Sequence, residues 1–120
     1  MSGRSIVHIE MSAKDRSRMQ DFYGGLFGWD HEDFPDMNYT TFRSGSVGGG
    51  FNPLGEMTKP GDVVVYIDSP DIEADLKAIA AKGGKTLLQK TEIPGMGWFA
   101  FFEDPSGNRM ALFSEMPGKM

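Results

Sequence analysis

His8 and Glu10 stand two residues apart in Ile6-Val7-His8-Ile9-Glu10, a spacing that puts an imidazole and a carboxylate on one face of a strand. That pair suits proton transfer, because imidazole titrates near neutrality and a neighbouring carboxylate can orient or relay its proton. Two readings stand open for each residue. His8 is a proton shuttle or ligand-orienting donor, or it is hydrogen-bonded to a sheet neighbour without further role. Glu10 is a general base, or it is a rim residue facing water. His31, inside Asp30-His31-Glu32-Asp33, is expected to be exposed. Other chemistries are excluded by their missing signatures. Gly48-Gly49-Gly50 lacks the strand–helix setting and the lysine of a phosphate loop, and there is no serine elbow, HExxH or calcium-loop pattern. With no cysteine there is no thiolate ligand, thiol nucleophile or disulfide.

The elements that must position these residues follow from hydrophobic periodicity. Residues 5–11 alternate as a strand, with Val7, Ile9 and Met11 opposite His8 and Glu10. Ser12-Ala13-Lys14-Asp15 then resembles a capping box, and Met19, Phe22, Tyr23, Leu26 and Phe27 recur as one apolar helical stripe that Gly28 ends. Strands are expected over 29–34, 39–43 and 47–52, with the glycine run forming a bulge or admitting a ligand close to bare backbone. Residues 53–61 are turn-rich and read as a linker. A buried strand over 62–68 leads to a helix capped by Ser69, with Pro70 at its first position. Ile72, Leu76, Ile79 and Ala80 form its buried stripe, and Gly83-Gly84 close it. Strands over 85–90, 98–102 and 109–114 complete the pattern, the last two joined by the turn Asp104-Pro105-Ser106-Gly107-Asn108.

The order β-α-β-β-β therefore occurs twice, in half-modules of about 1–54 and 60–116 within one domain over 1–120. Asp15 precedes Gly28 by the same interval as Asp71 precedes Gly84, and each pair brackets a helix that follows a strand. A repeated unit that cannot close its own core pairs with its twin. A chain of 120 residues is long enough for one such core. Its net charge of −5 and pI near 4.9 argue against a nucleic-acid partner. Lys14, Arg16 and Arg18 are interleaved with Asp15 and Asp21 and read as a solvated helix face. The N-terminus carries no apolar signal region and no run approaches the roughly 18 apolar residues of a membrane span, so the cytoplasm is the expected compartment.

In this order, over nearly the whole chain, the motifs resemble the vicinal-oxygen-chelate (glyoxalase/bleomycin resistance protein/dioxygenase) superfamily, in particular its small bacterial glyoxalase-like members. The residues that carry the resemblance are Ile6-Val7-His8-Ile9-Glu10, then Phe22-Tyr23 with Leu26-Phe27-Gly28-Trp29, then Tyr66-Ile67-Asp68 with Asp71-Ile72. Gly83-Gly84-Lys85, the run from Ile93 to Phe102 and the Asp104–Asn108 turn complete the set. The resemblance implies an α+β fold of two βαβββ modules, whose curled mixed sheet surrounds a cup-shaped cavity. It also implies a small organic ligand, often a divalent metal, and a homodimer.

The family's metal ligands come from the first and last strands of each half. His8 matches the first position. The second falls near Val63 to Val65, and the carboxylate three residues past the Asp104–Asn108 turn falls on Ala111. Neither can ligate, and one imidazole with Glu10 does not complete a site that needs three or four ligands. The expectation is thus a small-molecule-binding protein without a resident metal or other cofactor. Tyr39, Thr41, Trp98 and Phe113 are its expected cavity walls. By alternation about half of Trp98, Phe99, Phe101 and Phe102 face the core and the rest face the cup. The alternative is a metal-dependent lyase, isomerase or dioxygenase that uses His8 and Glu10, with its metal completed across a dimer. A third possibility is an interaction module with a vestigial cavity.

Overall fold

The computed structural model of the protein describes residues 3–56 and 58–116. In chain order the elements are β1 (Ile6–Ala13), α1 (Arg16–Phe27), β2 (Asp30–Phe34), a 3-10 turn (Pro35–Met37), β3 (Tyr39–Ser44) and β4 (Val47–Pro53). There follow β5 (Val63–Asp68), α2 (Ile72–Ala81), β6 (Lys85–Ile93), β7 (Gly97–Glu103) and β8 (Arg109–Glu115). This is the expected α+β class with two βαβββ modules. The chain clusters into two compact units, one from His8 to Val64 and the other joining the described residues up to Val7 with those from Val65 onward.

In the His8–Val64 unit the strands lie in the order β2-β3-β4-β1, antiparallel except for the parallel β4–β1 pair. Asp15 starts α1 by accepting from the Ser17 and Arg18 amides at 3.1 and 3.2 Å. Gly28 ends it at φ 74°, a left-handed position that favours glycine. Below the helix, Ala13, Phe42 and Phe51 are buried, with Ile9, Met11, Met19, Tyr23 and Trp29 packed against them. The indole of Trp29 stacks between Tyr23 and Phe42, at 4.7 Å from each ring.

Three expectations change here. The apolar stripe of α1 divides: Met19 and Tyr23 reach the core, whereas Phe22, Leu26 and Phe27 are 53, 65 and 62 % exposed. Arg16 leaves the solvated face, because its guanidinium pairs with Asp33 and donates to Thr40 Oγ1 at 2.8 Å, and the Thr40 hydroxyl donates to Asp33 at 2.7 Å. Together the Thr40 hydroxyl and Arg16 hold the Asp33 carboxyl below its ordinary value. His31 is half-buried rather than exposed, since it pairs with Phe42 and alternation turns it toward α1. Its ring lies 5.6 Å from that of Phe51, and its Nε2 is buried without a hydrogen bond.

The other unit has the strand order β5-β8-β7-β6, parallel only at β5–β8. The cap of α2 is Asp71, which accepts from the Ala74 amide at 3.1 Å, rather than Ser69. A carboxylate there satisfies an orphan amide and also meets the positive end of the helix dipole. Ser69 instead donates to Asp75 at 2.5 Å, and Arg4 binds the same carboxylate through both nitrogens at 2.6 and 2.9 Å. Ile72, Leu76, Ala100, Phe102 and Leu112 are the core, with Ile67, Ile79, Trp98 and Met110 packed on it.

Candidate functional site

β1 presents Ile9, Met11 and Ala13 to α1, so alternation leaves His8 and Glu10 on the opposite face of the same sheet. Gly50 is level with Glu10 on one side and with Thr41 on the other, which places Thr41 on that face too, and Tyr39 lies two residues before it. His8, Glu10, Tyr39 and Thr41 therefore lie on one face of this unit's sheet, β1 and β3 flanking β4.

Three of them are bonded to one another. His8 Nε2 lies 2.6 Å from Glu10 Oε2 and 2.9 Å from Tyr39 Oη. The Tyr39 hydroxyl donates to the same Glu10 oxygen at 2.7 Å. An ionised carboxylate only accepts, so in that state His8 carries its proton on Nε2 and Glu10 Oε2 receives two donors. The cluster is neither sealed nor fully exposed, with 29 % of the His8 side chain and 12 % of the Glu10 side chain accessible. Thr41 stands beside it, its hydroxyl donating to the Glu32 carbonyl at 3.4 Å.

The glycine run explains how Tyr39 gets there. β4 holds continuous register with β3 from Val47 through Phe51 and with β1 from Gly49 through Pro53, so there is no bulge. Instead the run makes room for side chains from β3. A Cβ on Gly49 would overlap the Ile9 carbonyl and the Phe42 ring, and one on Gly50 would overlap the Tyr39 Oη and Cζ and lie 2.7 Å from its Cε1. The hydroxyl end of Tyr39 fills the space over Gly50 that a side chain would take. Sequence reasoning found each residue of the cluster but not this support. Three consecutive glycines in an otherwise regular strand were its only signal.

In the second unit, Phe113 pairs with Phe99 and with Asp68, and Ala111 pairs with Phe101 and Tyr66. These residues share the face turned away from α2, where Phe99 and Phe101 meet edge to face at 5.3 Å. Trp98 is instead on the α2 side, packed on that unit's core, with Lys90 Nζ 4.9 Å above its ring. Alternation places it with Ala100 and Phe102, so it is separated from Phe113 by the thickness of the sheet.

Among the described residues no three His, Asp or Glu side chains group closely enough to hold a metal ion. His8 and Glu10 are two donors already bonded to each other, and Ala111 is fully buried between Tyr66 and Phe101. The residues present do not fit the three- or four-ligand set of the resembled family. A separate open polar recess of about 390 Å³ lies at the start of α1, lined by Lys14, Arg16, Gln20, Asp33 and Asn38 among others. It contains none of His8, Glu10, Tyr39 or Thr41.

Comparisons with known proteins agree with the fold. A glyoxylase-like domain-containing protein of Didymella fabae is 32 % identical over 124 residues, 95 % of each chain. The anthracycline biosynthesis protein DauV of Streptomyces sp. (strain C5) is 28 % identical over 88 % of this chain, which spans 45 % of that relative. Among solved structures, a glyoxalase/bleomycin resistance protein/dioxygenase superfamily member from Vibrio splendidus 12B01 superposes with a TM-score of 0.69 at 17 % identity, covering 94 % of this chain and all of that one. A methylmalonyl-CoA epimerase in complex with methylmalonyl-CoA and NH4+ superposes with a TM-score of 0.65 at 18 % identity, covering 97 % of both. The model of the glyoxalase/bleomycin resistance protein/dioxygenase superfamily matches residues 5–112, and the chain belongs to that superfamily.

Proposed function

We propose that the protein binds a small, planar or hydrophobic organic molecule without a resident metal, on the sheet face that carries His8, Glu10, Tyr39 and Thr41. The observation that carries this reading is the His8–Glu10–Tyr39 cluster itself. It lies on the face opposite the core, and it stays partly open to solvent. A few convergent polar groups of this kind fix a ligand's orientation in sites that are otherwise apolar. The likeness to proteins named for anthracycline biosynthesis supports a polycyclic aromatic class. The same reading takes the protein as a cytoplasmic homodimer with no nucleic-acid or membrane partner.

The test is fluorescence titration with anthracyclines and bleomycin, followed by thermal-shift screening of a broad metabolite panel. We expect saturable binding that weakens at least about tenfold in His8→Ala and Glu10→Gln, the loss of one charge-assisted hydrogen bond. No binding across the panel overturns the reading.

A second reading makes the protein a lyase, isomerase or dioxygenase with Glu10 as base, its metal completed by a second copy. The direct bonding of three proton-handling groups supports it. Elemental analysis of chelator-free protein decides between the two. Stoichiometric metal that disappears in His8→Ala establishes the metalloenzyme, and its absence in both samples leaves the binding protein.

A further inference from the structure

Glu10 is used asymmetrically. Its Oε2 receives both His8 Nε2 and the Tyr39 hydroxyl, whereas its Oε1 takes no hydrogen bond among the described residues. Oε1 is not among the polar atoms sealed from solvent, and the side chain keeps 12 % of its surface exposed. A carboxylate offers about four lone-pair positions, so one oxygen is engaged by the protein and the other remains an acceptor. The two donors on Oε2 pin the plane of the carboxyl group, and Tyr39 can be one of them only because Gly50 has no side chain to lift its phenol off the strand.

We propose that the site selects ligands bearing a phenolic or enolic hydroxyl, which donates to Glu10 Oε1, and that Gly50 is the positioning residue that makes this possible by seating Tyr39. This rests on the reading that the His8–Glu10–Tyr39 face meets the ligand. An O–H to carboxylate bond in a partly desolvated setting is among the stronger neutral-to-charged hydrogen bonds. Removing the donor costs at least about tenfold in affinity. A ligand whose oxygen is methylated loses the donor and leaves Oε1 facing the ether without a proton between them.

The experiment compares 1-naphthol, 1-methoxynaphthalene and 1-naphthoate as probes, by fluorescence or calorimetry, in the wild-type protein, Glu10→Ala, Tyr39→Ala, Gly50→Ala and the Tyr39→Ala/Gly50→Ala double variant. The expected result is that 1-naphthol binds at least about tenfold more tightly than 1-methoxynaphthalene, and that this gap closes in Glu10→Ala. Gly50→Ala should shrink the gap in the wild-type background and change it little once Tyr39 is already alanine, because the two residues act through one contact. A ligand-free readout accompanies it. The Gly50 Hα resonances should carry a ring-current shift from Tyr39, and that shift should vanish in Tyr39→Ala. Should Gly50→Ala not fold, the double variant, which removes the overlapping ring, must recover the fold. Equal binding of 1-naphthol and its methyl ether overturns the inference while leaving the ligand face intact. A preference for 1-naphthoate also overturns it, by showing that the site takes an acid. If none of the three binds while anthracyclines do, the hydroxyl rule is wrong for this site. If nothing binds at all, the binding reading fails first.

Discussion

Asp75 shows how one carboxylate ties distant residues together. Arg4 and the hydroxyl of Ser69 both donate to it, and Ser69 is 2 % exposed. The hydrogen bond and charge of Arg4, with Ser69 adding to them, hold the Asp75 carboxyl below its ordinary value of 3.8, against the opposing effect of burial. A lowered carboxyl contributes stability that is complete above the ordinary carboxylate range and is lost as pH falls through the lowered value. Asp75→Asn should therefore cost about 1 kcal/mol at neutral pH, a modest figure because Arg4 is 44 % exposed and screened. The gap between variant and wild type should narrow below about pH 4, as chemical denaturation at several pH values would record. If the gap stays constant down to pH 2, the carboxylate is not the source of the effect. At the same scale, the residue types and spacing of His8 and Glu10 were legible in the sequence. That Tyr39 bonds to both was not, because it joins them across β4 from a strand that is not β1's neighbour.

The glycines separate local from tertiary requirements at the scale of the element. Gly25 lies inside α1, and a Cβ there meets nothing within 4 Å. Gly25→Ala should stabilise the protein by about 0.5–1 kcal/mol, because alanine loses less backbone entropy on folding into a helix. Gly49 has ordinary strand pairing, yet a Cβ there would overlap the Ile9 carbonyl and the Phe42 ring, and neither can yield without disturbing the β1–β4 ladder or the core. Gly49→Ala should cost more than about 1–3 kcal/mol, the usual penalty for overpacking. Thermal melts of the two variants side by side test both, and a neutral Gly49→Ala would show that β4 can shift. Periodicity located the strands and helices to within a few residues, including β1, α1 and β5. It could not tell which members of the α1 stripe reach the core, because that depends on which side of the helix meets the Phe42–Phe51 cluster.

For the molecule as a whole, Phe51 and Ile72 are the large buried side chains of the two units, 0 and 1 % exposed respectively. Phe51→Ala and Ile72→Ala should each cost about 3–5 kcal/mol, through lost transfer free energy and the cavities left behind. Urea denaturation would measure both, and a cost below about 1 kcal/mol at either position would mean that its unit repacks freely. The homodimer expected of this protein predicts twice the chain mass of 13.2 kDa in sedimentation equilibrium, and a single-chain mass would refute it. What the sequence by itself determined was the class of fold, the repeated βαβββ order and the membership of its superfamily. Those follow from local periodicity, turn chemistry and motif order, which need no knowledge of distant contacts. It also placed an imidazole and a carboxylate on one face of β1. Only the tertiary structure decided that His31 and Arg16 turn inward, that Trp98 joins the core, and that Tyr39 lies on Gly50 to complete the cluster. Each of those depends on what packs above a strand from elsewhere in the chain, and residue type and spacing along the chain do not encode that neighbour.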